Sequence, residues 1–453
     1  MKSKKKTRRS AREAALRALV RVEQDGAYLN LALPALLNNF TADERALAVQ
    51  LAAGTIQRLN TLDWAVNLFS RRSIETFTPW VRNLLRLSAY QIIYLDRIPD
   101  YAVVDEAVNL ARRFGHRGVA GLVNALLRRL AAEREDFPWP DSGQFPVEYL
   151  SLRYSLPRWL AARMINRFGF IEAEKWSGSC NMKPLVSLRP NPLKTGAEEL
   201  IKILKSEEIN AFSSPVVPGM LRIETGAAPA GTRSFKEGLF TIQGESSALV
   251  APLLSPQPGD TMVDLCSAPG GKSTHLAELM EDRGTVFAVE IHSHRLRLVE
   301  NAAARLGLKS IMPVSADSRA IENHNLPEPS AVLVDAPCSG LGVIRRLPEI
   351  KWRRCEEDLP GMHALQSDLV SAAARLLPPG GKLLYSVCSG EPEETTRVVE
   401  TFTGSHPQFI LEDLHPFLPL SLRHGQDKSR TVSLWPHRHD LDGFFIALWR
   451  RKR

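Results

Sequence analysis

The chain is poor in cysteine. Its 453 residues hold five, Cys180, Cys266, Cys338, Cys355 and Cys388, and no two of them make a CxxC pair. An odd number of thiols in a long chain argues against a disulfide framework, and without CxxC spacing no zinc site is expected. Reduced thiols fit a cytoplasmic protein. Long apolar runs are missing too. None reaches the ~20 residues that span a bilayer, so no membrane partner is expected. The basic start, Lys2, Lys4, Lys5, Lys6, Arg8, Arg9 and Arg12, is not followed at once by an apolar segment, which argues against a secretory signal. Internal repeats and long low-complexity tracts are absent. Acidic residues are in the minority, 50 against 58 Lys and Arg, for a net charge of +8. That balance suits an anionic partner such as nucleic acid, and the basic start reads either as a disordered, solvated end or as a phosphate-binding arm.

What is present falls into three parts. Residues 1–137 read as helical. Apolar side chains recur at helical spacing in 46–56, 62–69, 81–95, 103–114 and 119–130, with breaks at Asp25-Gly26, Thr78-Pro79, Pro99-Asp100 and Gly115. Residues 137–143, with two prolines and a glycine, read as a linker. Residues 144–240 mix helix candidates (157–168, 197–206) with strand candidates (186–189, 221–223, 238–242). From 241 to 453 strands and helices alternate, with strands at 261–265, 285–290, 311–314, 331–335, 382–388 and 444–449 and helices such as 292–306 and 365–377. The expected fold is therefore multi-domain: an all-α bundle, a small α+β middle domain, and a C-terminal α/β domain with a mainly parallel, Rossmann-like sheet. A monomer is the default.

Three segments of the last part carry chemistry. Val263-Asp264-Leu265-Cys266-Ser267-Ala268-Pro269-Gly270-Gly271-Lys272 reads as a strand, a glycine turn and a helix start. It ends like a Walker A loop, but Cys266 stands where that pattern needs its first glycine, and it is not GxGxxG either. A glycine pair between strand and helix still lets a ligand approach the backbone near the helix N-terminus. Glu290 ends the next strand, where a carboxylate can accept both ribose hydroxyls. Asp317 follows the third strand and could reach an adenine. Acids at successive strand ends point to a nucleoside cofactor. The other two segments, Asp335-Ala336-Pro337-Cys338-Ser339-Gly340 and Tyr385-Ser386-Val387-Cys388-Ser389, each put a cysteine at the end of a predicted strand. A cysteine taken singly is more often a small buried hydrophobe. Here both sit where open α/β sheets bind ligands. Cys180 and Cys355 lack that placement and read as structural.

Two thiols beside a nucleoside cofactor suit methylation of a pyrimidine carbon. Carbon 5 of cytosine is a poor nucleophile. A thiolate adding at carbon 6 makes it electron-rich, and a second thiol can assist the later expulsion of the first. Asp335 could hydrogen-bond the nitrogen edge of the base.

These residues together resemble the RNA 5-methylcytosine methyltransferases of the NOL1/NOP2/Sun family. The matching elements are 264–272, 335–340, the stretch 345–354 with Ile350-Lys351-Trp352, and 385–389 followed by Pro392-Glu393-Glu394. The ends Pro436-His437-Arg438-His439 and Asp442-Gly443-Phe444-Phe445 match as well. The helical part resembles the antitermination factor NusB through Val104-Asp105-Glu106-Ala107-Val108 and Val123-Asn124-Ala125-Leu126-Leu127-Arg128, a fusion typical of the family's bacterial 16S rRNA branch. The resemblance implies S-adenosyl-L-methionine as methyl donor, held by Cys266, Ser267, Ala268, Pro269, Gly270, Gly271, Lys272, Glu290, Asp317 and Asp335. It implies 16S rRNA, or an assembling small subunit, as partner, with RNA contacts from the helical and middle parts. It further implies Cys388 as nucleophile and Cys338 as the release-assisting thiol. The residues by themselves leave that assignment open, since in DNA cytosine methyltransferases the attacking cysteine follows a proline, as Cys338 does. Glu290 stands for a frequent aspartate and Val387 for a frequent threonine. Two other readings are tRNA methylation by the same chemistry and a non-catalytic RNA-binding or antitermination factor. Intact cysteines and acids weigh against the latter.

Overall fold

In the computed structural model, residues 10–224, 228–423 and 430–453 are described. The basic start through Arg9 lies outside them. The chain divides into two units, Met1–Asn181 with Leu347–Arg353, and Met182–Arg346 with Arg354–Arg453.

The first unit is helical. Helices Ala11–Gln24, Ala42–Gln57, Leu59–Phe69, Pro79–Tyr94, Asp100–Phe114 and Arg117–Glu133 pack around Leu16, Leu51, Leu62, Leu85, Leu87 and Ile92. Their ends fall at the breaks in the apolar pattern. Pro79 opens one helix, Pro99 caps the next and Gly115 ends it. Thr41 and Glu44 exchange hydrogen bonds in a capping box, which satisfies donors that a helix N-terminus leaves unpaired. Residues 137–143 do not run free: Phe137 is buried, and Trp139 lies 4.5 Å from the Trp64 ring. Aromatic area outweighs the chain-breaking prolines here. Helices Pro146–Arg153 and Arg158–Ser179 complete the unit.

The stretch 347–353, which sequence similarity groups with the catalytic half, belongs to this helical unit. Lys351 is fully buried and its Nζ donates to the Gln57 carbonyl at 2.8 Å, while Trp352 Nε1 donates to the Ile56 carbonyl at 2.7 Å. Both acceptors are last-turn carbonyls of Ala42–Gln57, which a helix leaves without internal partners. Glu349 accepts from Leu29 N, and Arg353 donates to the Gly26 and Ala27 carbonyls. Burial lowers the Lys351 ammonium from its usual range to about 7. Between that value and its ordinary 10.5 the unfolded chain carries a proton that the folded chain lacks. Stability should therefore rise with pH across this window. Denaturant midpoints of full-length protein at pH 7 and pH 9 should increase, and Lys351→Met should flatten the increase. Equal slopes in the two proteins would rule out Lys351 as its source.

The second unit holds two sheets. Strands β1 (Val186–Pro190), β2 (Ala211–Ser213), β3 (Leu221–Ile223) and β4 (Phe240–Ile242) form an antiparallel sheet in the order β2-β3-β1-β4. The helix Ala197–Ser206 covers it through Leu200 and Leu204, which share a core with Leu188, Leu221 and Phe240. The large sheet comprises β5 (Thr261–Asp264), β6 (Thr285–Glu290), β7 (Ile311–Ser315), β8 (Ala331–Asp335), β9 (Lys382–Val387), β10 (Phe409–Leu411), β11 (Val432–Leu434) and β12 (Phe444–Arg451). Its order is β10-β12-β9-β8-β5-β6-β7, with β11 also on β12. β5 through β9 run parallel, and β12 is antiparallel to β9. This is the expected Rossmann-like arrangement with an antiparallel margin. Strands β5, β6, β8 and β9 are largely buried, whereas β7 at the edge is largely exposed.

Arg189 of β1 ties the small sheet to the large one. Buried, it forms two bonds to Glu278, at 3.0 and 3.1 Å, and one to the Gly271 carbonyl at 2.8 Å. Both acceptors lie on the helix Gly271–Leu279. A forked guanidinium suits this bidentate task. No helix among the described residues is long and apolar enough to cross a membrane.

Candidate active site

From β5 the chain steps to β6 and β7 on one side, then returns to place β8 on the other side of β5. At such a switch point the loops leave the strands in opposite directions and open a crevice at the C-terminal strand ends. The turn after β5, Glu290 at the end of β6, Asp317 after β7, Asp335 at the end of β8 and Cys388 after β9 all lie along that edge.

The turn is built tightly. Ser267 donates both its N–H and its hydroxyl to the Val289 carbonyl, each at 3.0 Å, and Gly270 N closes onto the Ser267 carbonyl at 2.8 Å. Gly270 has φ +105°, and a Cβ there would sit 3.1 Å from Val299 Cα, so glycine answers both conformation and space. Burial pushes the Cys266 thiol well up. Glu290 is buried, accepts from His292 N at 3.0 Å and pairs with Arg295 at 3.2 Å. Arg295 also donates to the Ala268 carbonyl, so it braces the turn against the acid. Asp317 is more exposed and pairs with Arg319 at 2.6 Å, which holds its carboxyl below the usual range.

Asp335 stands between the glycine turn and the thiols. Lys272 Nζ donates to its Oδ2 at 2.6 Å and Ser386 Oγ to its Oδ1 at 2.7 Å. Ser386 is also its register partner on β9. Three residues beyond Asp335, Cys338 faces Cys388, with sulfurs 3.1 Å apart. Both residues are half-buried. The Cys338 thiol is raised well above its ordinary range, first by the hydrogen bond to Cys388 and then by burial. The two loops meet through backbone as well: Gly342 N donates to the Cys388 carbonyl at 3.0 Å and Gly443 N to the Gly342 carbonyl at 2.8 Å. A Cβ on Gly342 would strike the Gly443 carbonyl, so glycine permits this approach. Arg345 and Arg346 hold Asp442, beside Gly443, at 2.7 and 2.5 Å.

The chain resembles known proteins along almost its whole length. A family model described as 16S rRNA methyltransferase RsmB/F matches residues 251–450, the NusB family model matches 9–132, and the RsmF/B-like ferredoxin-like domain matches 156–228. A probable ribosomal RNA small subunit methyltransferase B of Bacillus subtilis (strain 168) is 38% identical over 98% of this chain and 99% of its own length. The chain belongs to the RsmB/F family of 16S rRNA methyltransferases. The ribosomal RNA small subunit methyltransferase B of Proteus mirabilis (strain HI4320) is 31% identical over 99% of this chain and 100% of its own. Among solved structures, PH0851 superposes with a TM-score of 0.80 at 29% identity, covering 97% of this chain and 98% of that one. A methyltransferase homolog protein from Pyrococcus horikoshii reaches a TM-score of 0.57 at 29% identity over 67% of this chain and 97% of its own.

S-adenosyl-L-methionine is the methyl donor of this methyltransferase. The donor set fits it. A glycine turn offers close backbone approach, and carboxylates at the ends of β6 and β8 and after β7 offer acceptors for a ribose diol and for cationic groups. Glu290→Ala should weaken its binding by roughly 1–3 kcal/mol, the scale of a lost charged hydrogen bond. Calorimetry on the folded variant reads this directly, and unchanged affinity would return Glu290 to an ordinary strand-end acid.

Sequence reasoning did not single out Arg295, Ser386, Gln366 or Arg189 as supports of the site. Each is an ordinary polar residue in an ordinary element, and only its long-range partner gives it a role. Cys180 is buried in the helical unit, as a structural thiol should be, whereas Cys355 is exposed and fills no core position.

Proposed function

We propose that this chain methylates carbon 5 of a cytosine in 16S rRNA through a covalent adduct on Cys388. The observation that supports it most is the pair of thiols 3.1 Å apart, next to Asp335 and the cofactor turn. The target base is unpaired or flipped out of its stack, because stacking otherwise shields carbon 6. Cys388 as thiolate adds its electron pair to carbon 6, and carbon 5 becomes electron-rich. Asp335, steadied by Lys272 and Ser386, offers its remaining lone pairs to the nitrogen edge of the base. S-adenosyl-L-methionine supplies an electrophilic methyl group on a sulfonium. After carbon 5 is methylated, its proton leaves to water. The carbon 5–carbon 6 double bond then re-forms, and the carbon–sulfur bond breaks with its electron pair returning to Cys388. Cys338 donates its S–H to the departing sulfur. The assignment of Cys388 to attack rests on the family resemblance, and the helical and small-sheet parts supply contacts to RNA.

The test uses unmodified 16S rRNA carrying tritium on cytosine carbon 5. Each methyl group transferred should release one tritium to water. Methyl incorporation without tritium release would move the modification to another atom.

A further inference from the structure

Glu394 has no part in the chemistry above, yet it is fully buried in the short turn Pro392–Glu394 that follows Cys388. Four donors converge on its carboxylate. Oε1 accepts from Ser339 N at 2.7 Å and from Gln366 Nε2 at 3.1 Å. Oε2 accepts from the hydroxyls of Ser339 and Ser389, each at 2.5 Å. The oxygen of Ser389 accepts from Glu391 N and that of Ser339 from Leu341 N, and the Ser339 hydroxyl also lies 3.2 Å from Ser389 Oγ. Ser339 is the residue after Cys338, and Ser389 is the residue after Cys388. Gln366 also donates to the Pro337 carbonyl at 2.9 Å, and Tyr385 Oη to the Glu394 carbonyl at 2.6 Å. Arg354 holds the same loop from outside, donating to the Ser339 carbonyl at 3.1 Å.

Four donors need four lone pairs, which an ionised carboxylate has. An amide in its place would offer one acceptor oxygen and turn an NH₂ toward other donors. Burying an ion is costly unless hydrogen bonds replace its water, and here they do. The charge also lies near Cys338 and adds to the effects that favour its protonated form.

We propose that Glu394 is a positioning residue for this reaction. It ties the Cys338 and Cys388 loops together, so that the Cys338 S–H faces the Cys388 sulfur when the adduct breaks down. The inference rests on the adduct reading above. In that breakdown the bond from carbon 6 to sulfur opens, its pair goes to Cys388, Cys338 supplies the hydrogen that this sulfur accepts, and the carbon 5 proton goes to water. Without the clamp, attack and methyl transfer proceed but release is slow.

The experiment uses full-length protein, unmodified 16S rRNA and S-adenosyl-L-methionine. It reads adduct on a denaturing gel, methylated product, and cofactor affinity. Glu394→Gln should accumulate protein–RNA adduct and lower multiple-turnover product by about tenfold or more, the scale of one or two lost charge-assisted bonds, with cofactor affinity unchanged. Ser389→Ala, which removes one of the four bonds at less risk to folding, should accumulate less adduct than Glu394→Gln but more than the wild type. A merely structural role would lower adduct, product and cofactor binding together. Cys338→Ala is the control. If it traps adduct while Ser389→Ala and any folded Glu394→Gln do not, the clamp is wrong and the adduct reading stands. If neither Cys338→Ala nor the wild type ever forms adduct, the adduct reading falls and the clamp with it.

Discussion

Cys388→Ala should reduce methyl transfer to background and leave no protein–RNA adduct. Carbon 5 of cytosine does not attack a methyl donor unaided. It depends on the electron pair that a thiolate places at carbon 6. Removing a covalent nucleophile costs on the order of 10⁶ in rate in well-studied enzymes, so the loss should be effectively complete. Cofactor binding should survive, because Cys388 lies after β9 while the cofactor turn follows β5, with β8 between them. The measurement is incorporation of radiolabelled methyl into unmodified 16S rRNA, with calorimetry for the cofactor. Adduct formed by Cys388→Ala would assign attack to Cys338, the arrangement in which the nucleophile follows a proline.

Cys338→Ala should fail in the opposite way. Attack and methyl transfer need only Cys388, so the first half of the reaction proceeds. Release then lacks the S–H that sits 3.1 Å from the departing sulfur. A covalent protein–RNA complex should build up on a denaturing gel, and multiple turnover should stop while a single methyl group per enzyme is still transferred. Normal turnover by Cys338→Ala would remove it from the release step. Normal methylation by both variants would remove the thiolate mechanism itself.

Much of the fold is legible because its signals are local. Apolar spacing marks the helices of the bundle, and strands β6 and β8 fall where short, near-continuous apolar runs meet turn residues. The differences are physical as well. The helix expected over 365–377 begins earlier, at Asp358, because a proline in the first turn, Pro360, forfeits no internal hydrogen bond. Strands β10 and β11 are three residues long, too short to show a period of two, and they exist because the longer β12 offers free backbone groups. Pro392-Glu393-Glu394 reads as a polar turn by composition, and nothing near it in sequence shows that Glu394 is buried.

By itself, the sequence determined the glycine turn between β5 and its helix, the acids that end or follow successive strands, and a cysteine beyond each of two strands. Those features depend on turn chemistry within a few residues. Tertiary structure decided the rest. Cys338 meets Cys388 because β8 and β9 are parallel neighbours whose loops leave the same edge. Glu394 grips both loops because its turn folds back beneath them. Lys351 and Trp352 belong with the helical unit because a helix end 294 and 296 residues away presents carbonyls that their side chains reach. In each case the partner is dictated by where the backbone brings an unpaired polar group, and apolar spacing along one segment carries no record of that.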